Sequence, residues 1–121
     1  MNEAEAAARS PDGTAAGYAA ALSAGGFTSV EMIDLYSPGA RAAVLDSMGA
    51  AKAARERLCV HCADGNALTS VVMADWLLTD YIGGDNFQEA VDALAARKRL
   101  GGVERRADAD VVEKYVGEGA L

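Results

Sequence analysis

The stretch RLCVHCADGNALTSVVMADWLL, from Arg57 to Leu78, decides the fold that the sequence predicts. Its first part, LCVHC, is a short apolar run whose length and composition indicate a buried β-strand. A loop containing Gly65 follows, and TSVVMADWLLTDY then carries apolar residues on nearly all sides, as expected of a helix inserted into a core. The stretch therefore predicts a strand, a tight loop and a helix in succession.

The flanking sequence extends this alternation. FTSVEMIDLY, at positions 27–36, is rich in strand-forming residues and predicts a second strand. Ser37 is a candidate N-cap for the helix that follows it, and Phe87, Ala90, Val91 and Leu94 have the spacing of one helix face. The predicted helices cover 2–9, 18–24, 41–57, 69–81, 87–100 and 108–116. Alternating helices and strands predict an α/β fold with a parallel sheet.

Two strands are too few for a parallel sheet that stands alone. We therefore expect residues 1–17 to form a tail or short helix, and residues 18–121 to form an α/β domain whose sheet is completed by other segments or by another chain. The unpaired sheet edge predicts a protein partner or a homo-oligomer.

The amino-acid composition and net charge limit the classes of partner that the chain is expected to bind. The 121 residues are 51% hydrophobic and carry a formal net charge of −7, which disfavours nucleic acid and anionic membrane surfaces. No run of about 18 apolar residues is present and the N-terminus does not look like a secretory signal, so we expect an intracellular, cytoplasmic protein without membrane insertion. Cys59 and Cys62 should point to opposite faces of a strand, and His61 completes no zinc spacing, so neither metal nor cofactor is predicted.

The junction between the predicted strand and helix has chemical consequences. Backbone N–H groups of the loop and of the helix N-terminus converge there, so an anion can bind and the Cys62 thiol can lose its proton. Thr69 would bring a hydroxyl close to the sulfur. The pattern indicates an anion-binding loop next to a reactive cysteine.

This loop resembles the signature of the cysteine-dependent protein tyrosine and dual-specificity phosphatases, which is His-Cys, five residues, Arg, then Ser or Thr. The resemblance runs from Tyr18 to Val116 and implies a phosphatase-like parallel sheet flanked by helices, truncated at its N-terminal side. It also implies that Cys62 is the nucleophile, Asp34 the general acid and Thr69 a hydroxyl donor. The phosphate loop would consist of His61, Cys62, Ala63, Asp64, Gly65, Asn66, Ala67 and Leu68.

Leu68 departs from the family pattern because it occupies the position of the arginine that grips two phosphoryl oxygens. Losing such an arginine can cost on the order of 10³ to 10⁵ in rate. The resemblance therefore favours a pseudophosphatase that binds phosphate, a phosphorylated ligand or a protein partner. Two alternatives remain open: a weak cysteine-dependent phosphomonoesterase that uses Arg105 or Arg106 as its cation, and a structural subunit of a larger complex.

Overall fold

A computed structural model describes residues 3–62, 67–97 and 106–121 of the chain. The chain divides into two compact units, Met1–Asp34 and Leu35–Leu121. The regular elements are α1 (Glu3–Arg9), α2 (Ala15–Ala24), α3 (Ala40–Ala53), α4 (Ala67–Leu77), a π-helical turn (Leu78–Ile82), α5 (Phe87–Ala96) and α6 (Ala109–Glu118). Within the described ranges, none of these helices is long and apolar enough to cross a membrane.

The predicted α/β fold is wrong, because the described part of the chain is helical and contains no strand. FTSVEMIDLY and LCVHC are irregular, and Phe27, Met32 and Leu58, which a sheet would bury, are exposed. An isolated extended segment leaves its backbone groups unpaired, so short apolar runs form strands only where a neighbouring strand is available. This finding also overturns the tyrosine phosphatase fold that the resemblance implied for residues 18–121.

The first unit contains α1 and α2, which are joined by a turn centred on Asp12, and the irregular residues 25–34. Thr14 caps α2, since its side-chain oxygen accepts a hydrogen bond of 2.9 Å from the backbone N–H of Gly17. The hydroxyls of Ser10 and Thr14 donate to the Asp12 carboxylate and lower its pKa. A Cβ at position 17 would overlap that carboxylate, so a larger residue there would displace the Asp12 side chain from these bonds. The predicted end of α2 at Gly25 is confirmed.

The core of the second unit forms around α4, which packs against α5 and α6. The predicted apolar face of α5 is confirmed at Ala90, Val91 and Leu94, which are buried. Two larger side chains of α6, Val112 and Tyr115, are fully buried. The other buried apolar residues of the helices in this unit are Ala40, Val44, Met48, Val71, Val72, Ala74, Leu77 and Leu78.

The start of α3 is tied to the residues that follow α6. The helix begins at Ala40 after Gly39, whose φ of 78° is left-handed, so the predicted N-cap at Ser37 is wrong. The N–H of Arg41 donates to the carbonyl of Gly119 at 2.9 Å, and the N–H of Leu121 donates to the carbonyl of Leu35 at 2.7 Å. These bonds satisfy backbone groups that a helix terminus would otherwise leave unpaired.

Candidate functional site

The predicted phosphate loop lies only partly within the described structure, since Ala63, Asp64, Gly65 and Asn66 fall outside it, as does Arg105. Of the remaining residues, His61 and Arg106 are exposed and Cys62 is buried. Ala67, Leu68 and Thr69 form the first turn of α4. Asp34 belongs to the first unit and Cys62 to the second. The assignment of these residues to phosphate chemistry therefore stays a prediction.

An open groove of about 320 Å³ lies where the irregular segment before α4 meets that helix. It is lined by Leu58, Cys59, Val60, Thr69 and Met73. Leu58 is 48% exposed, and Cys59 is an exposed free thiol. The groove is thus mainly apolar, with one hydroxyl and one thiol as its side-chain polar groups.

Among the described residues the hydroxyl of Thr69 has no hydrogen-bond partner, although Thr69 is only 3% exposed. Donation from this hydroxyl to the Cys62 sulfur, as the resemblance implied, is therefore not among the contacts of the described residues. A buried hydroxyl without a partner costs about 1–3 kcal/mol of stability. The hydroxyl oxygen is itself buried, so it lies behind the surface of the groove and destabilises the wall that Thr69 forms.

The backbone of residues 57–60 supplies further unpaired polar groups. Among the described residues it makes no backbone–backbone hydrogen bond, whereas Glu56, the residue before it, donates to the carbonyl of Ala51 at 2.9 Å. A short exposed segment with free N–H and C=O groups can pair with another extended chain. The groove therefore combines apolar walls with an unpaired backbone edge.

The helix that forms one wall of the groove is fixed by a buried ion pair. Asp75, which is 1% exposed, accepts bonds from Arg41 Nε at 2.9 Å and from Arg41 Nη2 at 3.0 Å. Thr79 Oγ1 donates to the same carboxylate at 3.0 Å. Asp75 raises the pKa of Arg41, so the guanidinium stays charged. The bidentate geometry holds α3 against α4 in one orientation.

Tyr115 lies close enough to this ion pair to sense its charges. Burial, and then the negative charge of Asp75, raise the pKa of Tyr115 to about 12. The tyrosine hydroxyl is buried and has no hydrogen-bond partner among the described residues. The phenol therefore remains neutral, and it contributes an unsatisfied polar group to the core of the second unit.

Sequence reasoning missed Met73 and Leu58 as groove residues and missed the Arg41–Asp75 pair. One signal was available, because Asp75 is an isolated acid in the apolar run SVVMADWLL, and buried acids are almost always paired. The partner lies 34 positions away, and no local pattern identifies it. Among residues 3–62, 67–97 and 106–121, no group of three or more His, Cys, Asp or Glu side chains is placed to hold a metal ion.

Comparisons with protein-family models, curated proteins and solved structures find no match for this chain.

Proposed function

We propose that this protein is an interaction module that binds an extended segment of a protein partner in the groove between residues 58–60 and α4. The observation that carries the proposal is the backbone of residues 57–60, which makes no backbone–backbone hydrogen bond among the described residues and lies beside the apolar groove. A peptide main chain supplies both donors and acceptors, so it can satisfy these groups together. Main-chain hydrogen bonding to an extended peptide is a common mode of recognition at sheet edges, and here the irregular segment 57–60 would supply the backbone groups in place of an edge strand.

The composition of the groove and of the chain defines the partner segment more closely. Leu58, Val60 and Met73 favour an apolar side chain, which gains roughly 1.5–3 kcal/mol when it is fully buried. The net charge of −7 attracts a positively charged partner and speeds the encounter. We therefore expect the partner segment to be extended, with an apolar residue flanked by lysine or arginine.

Selection from a library of short random peptides tests this function. Selected peptides should share an apolar residue next to basic residues. Leu58→Asp should weaken their binding by about 10-fold or more, because it places a charge on the apolar wall. Val111→Asp is the matched control, since Val111 is an exposed apolar residue of α6 that does not line the groove, and it should leave binding unchanged.

Thr69→Val separates binding from folding. Valine keeps the shape of threonine but removes the buried hydroxyl, so the free protein should become more stable by about 1 kcal/mol while peptide affinity, which depends on the backbone of residues 57–60, stays unchanged. Equal loss of affinity in Leu58→Asp and Val111→Asp would overturn the proposal. A wild-type dimer in sedimentation that Leu58→Asp dissociates would also overturn it, because the occupant would then be a second copy of this chain.

A further inference from the structure

A second cluster, independent of the groove, surrounds the ammonium group of Lys52 near the end of α3. The Nζ atom lies 2.6 Å from Asp80 Oδ2, 5.5 Å from the ring centroid of Tyr81 and 6.0 Å from that of Trp76. Aromatic ring faces attract cations through their quadrupole, and cages of such rings recognise methylated ammonium groups. The cluster has the chemical composition of such a cage, with a carboxylate added.

The π-helical turn helps to assemble this cluster. In a regular α-helix, positions 76 and 81 would lie about 140° apart around the axis, because successive residues turn by about 100°. The turn Leu78–Ile82 is wider and closes with a bond of 2.6 Å from the N–H of Gly83 to the carbonyl of Leu78. Trp76 and Tyr81 consequently meet the same cation. Single π turns inside helices occur frequently at functional sites.

The contacts that hold the Lys52 ammonium group in this cluster are exposed to water. Its side chain is 56% exposed, and Asp80 raises its pKa, so the group is a charged ammonium in contact with water. Exposed ion pairs of this kind are weak. A primary ammonium is also strongly hydrated, whereas a methylated ammonium loses less hydration and brings methyl groups into contact with the rings. A methylated cation can therefore compete for the site.

We propose that Trp76, Asp80 and Tyr81 form a binding site for a methylated ammonium ion, and that Lys52 occupies this site in the free protein and leaves it when the ligand binds. The ligand is either a small quaternary ammonium compound or a trimethylated lysine side chain, which share the same head group. The negative net charge of the chain favours either cation.

Removing Lys52 tests the proposal. Tetramethylammonium and the acetylated amide of trimethyllysine are titrated into wild type and Lys52→Ala, with the fluorescence of Trp76, the single tryptophan, as the readout. Lys52→Ala should bind both probes about 10-fold more tightly than wild type. Lys114→Ala is the matched control, because Lys114 is also 56% exposed and forms an ion pair with Glu118 at 3.9 Å, and it should match wild type.

Two further variants in the Lys52→Ala background, Asp80→Asn and Tyr81→Ala, should each lower the affinity for the probes several-fold, as followed by ligand-observed NMR. Tyr81 is exposed, so its truncation leaves the core intact. Equal affinity of both probes supports a site that recognises the head group alone, and tighter binding of trimethyllysine supports the site and identifies a lysine side chain as the ligand. Equal affinity of wild type and Lys52→Ala, or full binding in Asp80→Asn and Tyr81→Ala, would overturn the proposal.

Discussion

An ion pair forms near each end of α3, and the two pairs differ in how far they are buried. Near its start, Arg41 makes two hydrogen bonds to Asp75, a carboxylate that is 1% exposed. Near its end, Lys52 reaches Asp80 across the surface with a single contact of 2.6 Å. The first pair has lost most of its water and is fixed in geometry, while the second remains hydrated. We infer that the first pair fixes the fold and that the second is free to be exchanged.

Breaking the buried Arg41–Asp75 pair should cause the largest change in the free energy of unfolding. Asp75→Ala leaves the Arg41 guanidinium without its acceptor and should lower the free energy of unfolding by about 2–3 kcal/mol, less than the ~3–5 kcal/mol of a fully buried pair. The reduction reflects the 24% exposure of the Arg41 side chain, which can still reach water. Urea denaturation followed by circular dichroism measures the change. Asp80→Ala is the control, and a loss as large as that of Asp75→Ala would remove the distinction between the two ends.

A smaller effect is expected at Tyr115, beside the buried pair. Tyr115→Phe removes a hydroxyl that has no partner in the described part of the chain, so stability at neutral pH should stay equal or rise by about 1 kcal/mol. The pKa of Tyr115 is raised from 10.0 to about 12 in the folded protein. Between pH 10 and 12 the unfolded chain therefore binds fewer protons than the folded one, and the wild type should lose stability as the pH rises.

Tyr115→Phe has no phenol to titrate at this position, so its stability should not fall for this reason. The stability difference between Tyr115→Phe and wild type should therefore widen above pH 10. Denaturation curves collected from pH 8 to 11.5 measure it. Comparing the two proteins cancels the titration of the other groups, Lys52 included. A difference that stays constant with pH would mean that Tyr115 is not desolvated.

The smallest change in stability is expected from breaking the Lys52–Asp80 pair near the end of α3. Asp80→Asn should lower stability by less than about 1 kcal/mol, and the change should shrink as sodium chloride rises from about 0.05 to about 1 M, because salt screens exposed charges. The loss in Asp75→Ala should depend less on salt, since Asp75 is buried. Thermal denaturation in both salt concentrations measures this. Equal salt dependence of the two variants would contradict the comparison.

The helices were largely predictable, because their signals are local. The spacing of Ala90, Val91 and Leu94 and the glycine after α2 each lie within a few residues of the element that they define. The π-helical turn after Leu77 was not predicted, since no residue in LTDYI distinguishes it from an α-helix. Local periodicity therefore identified the elements of the bundle but not the irregularity that brings Tyr81 towards Lys52.

The strands were not predictable, because a strand depends on a partner that is distant in sequence. LCVHC has the composition of a buried strand, yet Leu58 is half exposed and no strand is present in the described ranges. A short apolar run fits a strand, a core segment or a docking segment equally well. The same limit applies to the groove, which required Met73 and Leu58 to meet, and to the Arg41–Asp75 pair.

Amide hydrogen exchange shows whether residues 57–60 are unpaired in the free protein and become paired with a partner chain. In the free protein these amides should exchange rapidly while those in the middle of α4 are protected, and a selected peptide should slow them. Slow exchange in the free monomer, with protection like that of α4, would show that the chain already pairs this segment internally and would contradict the account.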